Sequence, residues 1–471
     1  MTVFVPFELR PRTSSHAFRS HAEQNPLAIA EVRRTLRWYY KMCDHPFIQI
    51  MKTRIFAALL LLTPALYGQS TPSPGDSVEY EELPDLNASE ILRPEVVKGP
   101  HHTVREPVST YSGANQFMID SEFGVFEADG NEMLLRRINE INAIARLQEV
   151  SRTDEYKAAL MRSAKAPVAA VKRIASDPMG TLESAPKGIM KFMSRAGESV
   201  KGIGKKSDSD QYEGSKLEQI SGFSNTKRKV AINLGVDPYS SNTVLQHELN
   251  EIAKAAFAGG ATFSLATLPV GGAAGIGLTT TQVSNSLEET LREKSPGDLK
   301  ALNRKYLLGM GVSEREADRF FANGAFSPTA QTAFVLNLRS LEGVADRRAF
   351  VKLAAETSST ETDAIFCTQT AALMSNLHKG DVPLARITAI GGFPVCIAKD
   401  GSVVVALQWD YAAWTPTAAA FAEKVQRSGG EGGAHKPVLV ALSGQASPRL
   451  QEELHSRGFT LRDRLSPGPL K

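Results

Sequence analysis

Val395-Cys-Ile-Ala398, Val403-Val-Val-Ala-Leu-Gln408 and Val438-Leu-Val-Ala-Leu442 are the runs that decide the fold. Each is short, apolar and rich in β-branched residues, which fit a pleated and buried surface. Asp400-Gly401 predicts a tight hairpin between the first two, and Arg386–Ile390 supplies a strand before them. Pro416–Gln426 reads as a helix, followed by the glycine-rich loop Ser428–Gly433. Val438–Leu442 is then a continuously apolar strand, Pro448–Ser456 a helix opened by Ser447 and Pro448, and Phe459–Arg464 a last strand. A meander followed by β-α-β makes a small α/β sandwich over residues 381–471, with its helices expected on one face.

Upstream the period becomes helical, so the expected fold is α+β, a mostly helical central bundle over 216–380 followed by that sandwich. Helix Lys227–Leu234 ends at Gly235, a C-cap position. Asp237–Asn242 is a turn whose Ser241 or Asn242 caps Thr243–Ala258. Further helices are predicted over Pro296–Leu308, Glu314–Asn323, Thr329–Leu341, Val344–Glu356 and Thr360–Lys379. Ser313 with Glu316 forms a capping box for the second of these. Short connections imply antiparallel neighbours.

Residues 108–215 carry a hairpin, Asn115–Ile119 with Gly124–Glu127, and then helices from Glu132 and over Asp154–Ala164. Pro186–Ile203 is basic and amphipathic, with Lys187, Lys191 and Arg195 at four-residue spacing. It either packs on its neighbours or lies on an anionic membrane. Residues 71–107, rich in proline and acid, read as a disordered lead-in. No Asp, Glu, Lys or Arg occurs from Ala255 to Leu287. Residues 257–278 within that run are either a buried helical hairpin or a membrane-inserting segment, marginal because of their glycines and Pro269.

Residues 51–70 name a compartment. Met51-Lys-Thr-Arg54, the apolar run Ile55–Leu62 and a small-residue exit to Ser70 are the parts of a secretory signal peptide. The run is shorter than the roughly 20 residues a membrane span needs. Translation is therefore expected from Met51, with residues 1–50 a misassigned start and the product periplasmic or secreted by a bacterium. The alternative is a cytoplasmic tail on a stubby anchor. The whole chain has 54 Lys+Arg and 51 Asp+Glu; removing nine basic and four acidic residues in 1–70 leaves 45 against 47, a net of −2. Nucleic acid loses its compositional support as a partner.

Chemistry is sparse. His247-Glu248-Leu-Asn-Glu251 places His247 and Glu251 on one helical face, but the zincin pattern needs a second His at the fourth step. The three are weak catalytic candidates, and no metal is expected. Cys367 and Cys396 are the two cysteines after residue 70, open to one bridge or to two buried thiols. Ser443-Gly444 lacks the flanks of a nucleophile elbow. The glycines after Ser428 follow a helix and precede a strand, the reverse of a phosphate loop, so no cofactor is expected. Trp409, Tyr411 and Trp414 either line a binding cleft or seal the edge of the sandwich.

Three stretches carry a resemblance: Leu234-Gly-Val-Asp-Pro-Tyr-Ser-Ser-Asn-Thr-Val-Leu-Gln246, the run from Ser327-Pro328 through Gly343-Val-Ala-Asp-Arg-Arg-Ala-Phe350, and Ser443-Gly-Gln-Ala-Ser-Pro-Arg449 with Arg457-Gly-Phe-Thr-Leu-Arg462. Over roughly residues 168–464 the chain resembles a family of uncharacterised bacterial envelope proteins without known activity. That resemblance implies export and this domain order, and it transfers no functional residues. The expectation is a non-enzymatic envelope protein that binds a protein or the membrane surface. An envelope hydrolase using His247, Glu248 and Glu251, or a membrane-inserting protein using 257–278, are the alternatives. N-terminal sequencing of the natural protein is expected to find no peptide from residues 1–50; recovery of one would overturn the start at Met51.

Overall fold

The computed structural model describes residues 80–165, 221–259, 284–429, 436–465 and 470–471, and their fold is α+β. Residues 80–107 correct the expectation of a disordered lead-in. They form β1 (Leu86–Asn87), α1 (Ala88–Ile91), α2 (Pro94–Val97), β2 (His102–Val104) and the start of β3 (Pro107–Tyr111). Pro94 sits in the first turn of α2, where no amide donor is needed, so it starts structure there rather than breaking it. Ala88, Leu92, Val96 and Val104 are buried with Phe117, Ile119, Leu134, Ile138 and Ile141. The expected hairpin follows as β4 (Ala114–Ser121) and β5 (Gly124–Asp129), antiparallel from Ser121↔Gly124 to Gln116↔Asp129. The sheet order is β1-β3-β4-β2, with β5 also paired to β4.

Helix α3 (Asn131–Ser151) serves two cores. Its first half covers this sheet, and Ala143, Ile144, Leu147 and Val150 pack with α4 (Asp154–Lys165), α5 (Ser221–Asn233) and α6 (Thr243–Gly259). Gly235 caps α5 as expected: its φ is 69°, its amide bonds Ile232 and that of Val236 bonds Ala231. Then come α7 (Ser284–Glu293), α8 (Pro296–Gly309), α9 (Glu314–Phe321), α10 (Pro328–Arg339), α11 (Arg348–Thr357) and α12 (Glu361–Lys379). Ser295/Asp298, Ser313/Glu316 and Thr360/Asp363 each close a capping box. Phe320, Phe326, Phe334 and Phe350 form a ring cluster, Phe320 lying 5.0 Å from Phe326 and Phe334 5.1 Å from Phe350. The helix expected from Val344 starts at Arg348, because Ala345 is extended and bonded to Ala385 and Ile387.

The remaining strands are β6 (Leu384–Ile390), β7 (Phe393–Ala398), β8 (Val403–Leu407), β9 (Tyr411–Ala412), β10 (Val438–Leu442), β11 (Gln445–Ala446) and β12 (Phe459–Arg462), with α13 (Pro416–Gly429) and α14 (Pro448–Ser456) between them. The main sheet has order β12-β10-β8-β7-β6, parallel over the first three and antiparallel over the last three. Its own helices α13 and α14 lie together on one face, as expected, and the preceding helices cover the other. Val404, Ala406 and Ala441 join the core of Phe334, Phe350 and Leu373. Val403, Val405, Val440 and Leu442 face the other way, onto Ala422, Val425, Leu450 and Leu454. A parallel strand covered on both sides needs an apolar residue at every position, which is what β8 has. The described residues belong to one compact unit, Tyr80–Lys471, so the blocks 108–215, 216–380 and 381–471 do not separate within it.

The seam between β9 and β11 depends on Gly444. A Cβ there would lie 2.0 Å from the Asp410 carbonyl oxygen and 2.3 Å from that of Trp409. Gly444→Ala is expected to cost about 2–3 kcal/mol in chemical denaturation. Gly309→Ala, with open space around it, is expected to be neutral or mildly stabilising.

Candidate functional site

A polar crevice lies between α3, the turn after α5 and the start of α12. It is lined by Arg136, Arg137, Glu140, Asp237, Ser240 and Glu361, among others. Arg136, Arg137 and Glu140 reach it because they recur at three- and four-residue spacing on one side of α3. The opposite side carries the apolar set Leu134, Ile138 and Ile141.

The crevice is tied across elements distant in sequence. Arg137 donates to Glu140 at 2.7 Å and to Ser241 Oγ at 2.9 Å. Glu140 also accepts from Ser240 Oγ and, at 2.9 Å, from Asn242 Nδ2. Ser241 Oγ donates to Glu361 at 2.6 Å, and Arg136 Nε to Glu132 at 3.0 Å. Asn242 Oδ1 accepts from the amides of Val244 and Leu245, so the residue that caps α6 also closes this network. Asp237 Oδ1 accepts from Thr329 Oγ1 at 2.6 Å and from the Tyr239 amide at 2.8 Å. Burial raises the Asp237 pKa, against the opposing pull of those two donors and of Arg136.

Two guanidinium groups thus face four carboxyl groups, and each has an intrachain partner. The space left between them is about 20 Å³, room for about one ordered water. Chemically the crevice joins segments; its acids and bases are committed to one another.

The candidates from sequence lie elsewhere and are not brought together. His247 is exposed, Glu248 accepts from Gln148 Nε2 at 3.2 Å, and Glu251 pairs with Lys254 at 2.5 Å. Among the described residues no group of three His, Cys, Asp or Glu is placed to hold a metal ion. Cys367 and Cys396 are free, so of the two readings of this pair the bridge is not the one found. Burial pushes both thiols up to about 12, which leaves them unreactive. Trp414 is 2 % exposed beneath the Arg457 guanidinium, 4.4 Å from its ring centre. Trp409 stands edge-on to Phe393 and against Gly113, while Tyr411 is half-buried beside Gln445. Trp414 is thus sealed in the core, while Trp409 and Tyr411 remain partly exposed. Residues 260–278 of the uncharged run lie outside the described residues, as does Pro186–Ile203; no described helix is long and apolar enough to cross a membrane.

Sequence reasoning missed Asp410. Its Oδ2 accepts from the amides of Asn115 and Asn131, both at 3.0 Å, and its Oδ1 from Gln408 Nε2 at 3.3 Å. It therefore pins the C-terminal sheet to β4 and to the first residue of α3. The partners lie 295 and 279 positions away, and no local pattern announces them.

Two expectations follow. Glu140→Ala leaves Arg137 and Asn242 without their shared acceptor and should cost about 3–5 kcal/mol, with Glu140→Gln costing less, in urea titrations. Burial raises the Asp410 pKa to about 6 despite its amide donors. The native state therefore holds this proton longer than the unfolded chain, and the stability it confers is complete below about pH 4 and lost as pH rises through about 6. Wild type minus Asp410→Asn should show a fall of about 3 kcal/mol over that window; a flat difference would contradict it.

No family model, curated protein or solved structure matches the chain.

Proposed function

We propose that the chain is an exported bacterial envelope protein that works by binding rather than catalysis, its partner a protein or the membrane surface. In this reading a mostly helical body precedes a C-terminal α/β sandwich, and the signal-like residues 51–70 direct the chain out of the cytoplasm. The resemblance to exported envelope proteins read from the sequence over roughly residues 168–464 belongs to this proposal.

The observation that carries the non-catalytic reading is the closure of the crevice. A general base needs a group within hydrogen-bond reach of a bound substrate and a pKa near the working pH. Here Glu140, Asp237 and Glu361, which line it, each accept from a side chain of the same chain, as does Glu132 beside them. Substrate would have to displace those bonds to enter a space of about 20 Å³. Chemical crosslinking in the native envelope should attach one predominant protein or phospholipid, and the purified protein should hold no stoichiometric zinc. Bound zinc lost on His247→Ala would overturn the proposal in favour of a metal-dependent hydrolase.

A further inference from the structure

His102 is the first residue of β2 (His102–Val104), and the alternation of that strand turns it inward with Val104. It is 5 % exposed. Its Nε2 lies 3.0 Å from the carbonyl oxygen of Val96, within α2 (Pro94–Val97). A carbonyl only accepts, so Nε2 carries the hydrogen and the neutral ring leaves Nδ1 as a bare lone pair. Among the described residues the buried Nδ1 has no hydrogen-bond partner. The ring packs on Gly99, where a Cβ would come within 2.4 Å of its Cε1 and 2.7 Å of its Nδ1. Backbone closes the same turn, the Gly99 amide donating to the His102 carbonyl at 3.0 Å.

An imidazole seated in this way fits its site only while it is neutral. A second proton would bring a charge and an unpaired N–H into the interior, and both cost free energy. The acids of the surrounding elements are committed elsewhere. Glu95 of α2 pairs with Arg93 at 3.1 Å, Asp120 of β4 with Arg105 at 2.7 Å, and Glu122 beyond β4 with His101 at 2.6 Å. Glu106, which follows β2, accepts from Ser89. Lys98 and His101, in the turn itself, can bring only positive charge. Burial accordingly lowers the His102 pKa, the Val96 carbonyl opposing the shift and His101 adding to it.

We propose that His102 is an acid-sensitive latch, whose protonation unseats the ring from Val96 and releases α2 and the turn Gly99–His101 from the N-terminal sheet. Val96 then leaves the core it shares with Phe117, Ile138 and Ile141, so acid bares apolar surface that is closed at neutral pH. The device lies apart from the crevice and does not depend on the binding reading. Its sign follows from linkage. Above the ordinary histidine pKa of about 6.5 the open form has no proton to gain and the latch is fully closed. Below it the open form takes up a proton that the closed form refuses, and the open population rises by at most about tenfold per pH unit.

Hydrogen exchange of the purified chain at about pH 7.5 and about pH 5, corrected for the intrinsic exchange rate at each, tests this. Peptides spanning Pro94–Val104 should lose protection several-fold at the lower pH, while Phe334–Leu338 and Val438–Leu442 lose none. Asp410 acts in the opposite direction over this range, so a loss confined to Pro94–Val104 belongs to the latch. His102→Gln keeps an amide donor for Val96 and cannot titrate, and it should hold its protection at both pH values. His101→Gln should keep the wild-type loss. Should His102→Gln not fold, nitrogen-15 spectra of the histidine-labelled wild type decide, with the His102 ring expected in its neutral Nε2–H form at about pH 6.5. Equal protection of wild type at both pH values would overturn the latch. So would a loss that persists in His102→Gln or vanishes in His101→Gln, or a charged His102 ring in a hairpin that stays closed.

Discussion

Strand Val403–Leu407 has no solvent-facing side. Val404 and Ala406 lie in one core with Phe334 and Phe350, while Val403, Val405 and Leu407 lie in another with α13 and α14. Each buried aliphatic side chain contributes about 1.5–3 kcal/mol relative to exposure. The same five residues therefore hold two layers, and neither can be removed without exposing the sheet. Partner strands β7 and β10 inherit the condition, with Cys396 and Ala441 on the side of α10–α12 and Val395 and Val440 on the side of α13 and α14.

Polar contacts then fix how the remaining parts meet that sheet. Asp410, just past β8, collects the amides of Asn115 and Asn131. Glu81 does the same for the segment that leads into β1, accepting from the Trp414 amide and the Ser447 hydroxyl, both at 2.6 Å. Glu140 and Arg137 join α3 to the turn before α6, and Ser241 carries that link to α12 through Glu361. Apolar burial has no direction, so these few charged groups set register between layers.

Much of this was legible in the chain because local physics wrote it there. Ser313 and Glu316 mark a helix start whatever surrounds them, Gly235 a helix end, and Val438–Leu442 a buried strand. What stayed hidden depends on residues far apart. The prolines of 80–107 suggested disorder, since nothing local tells that Leu92 and Val96 will meet Ile138. Helices were expected on one face of the sheet because only α13 and α14 are its sequence neighbours; its other cover comes from helices that precede it. Of the crevice, the turn Asp237–Asn242 and its cap were readable, but the pairing of Asn242 with Glu140 was not. Asp410 carried no signal at all.

Because the core of Phe334 and Phe350 continues into Val404, Ala406 and Ala441, the C-terminal sheet and the preceding helices are expected to unfold as one cooperative structure rather than as two adjoining modules. Native-state hydrogen exchange read by mass spectrometry tests that directly. Peptides covering Val403–Leu407 and Val438–Leu442 should exchange in the slowest class together with Phe334–Leu338 of α10, all by global unfolding. Release of residues 381–471 at a markedly lower free energy than α10 would contradict it.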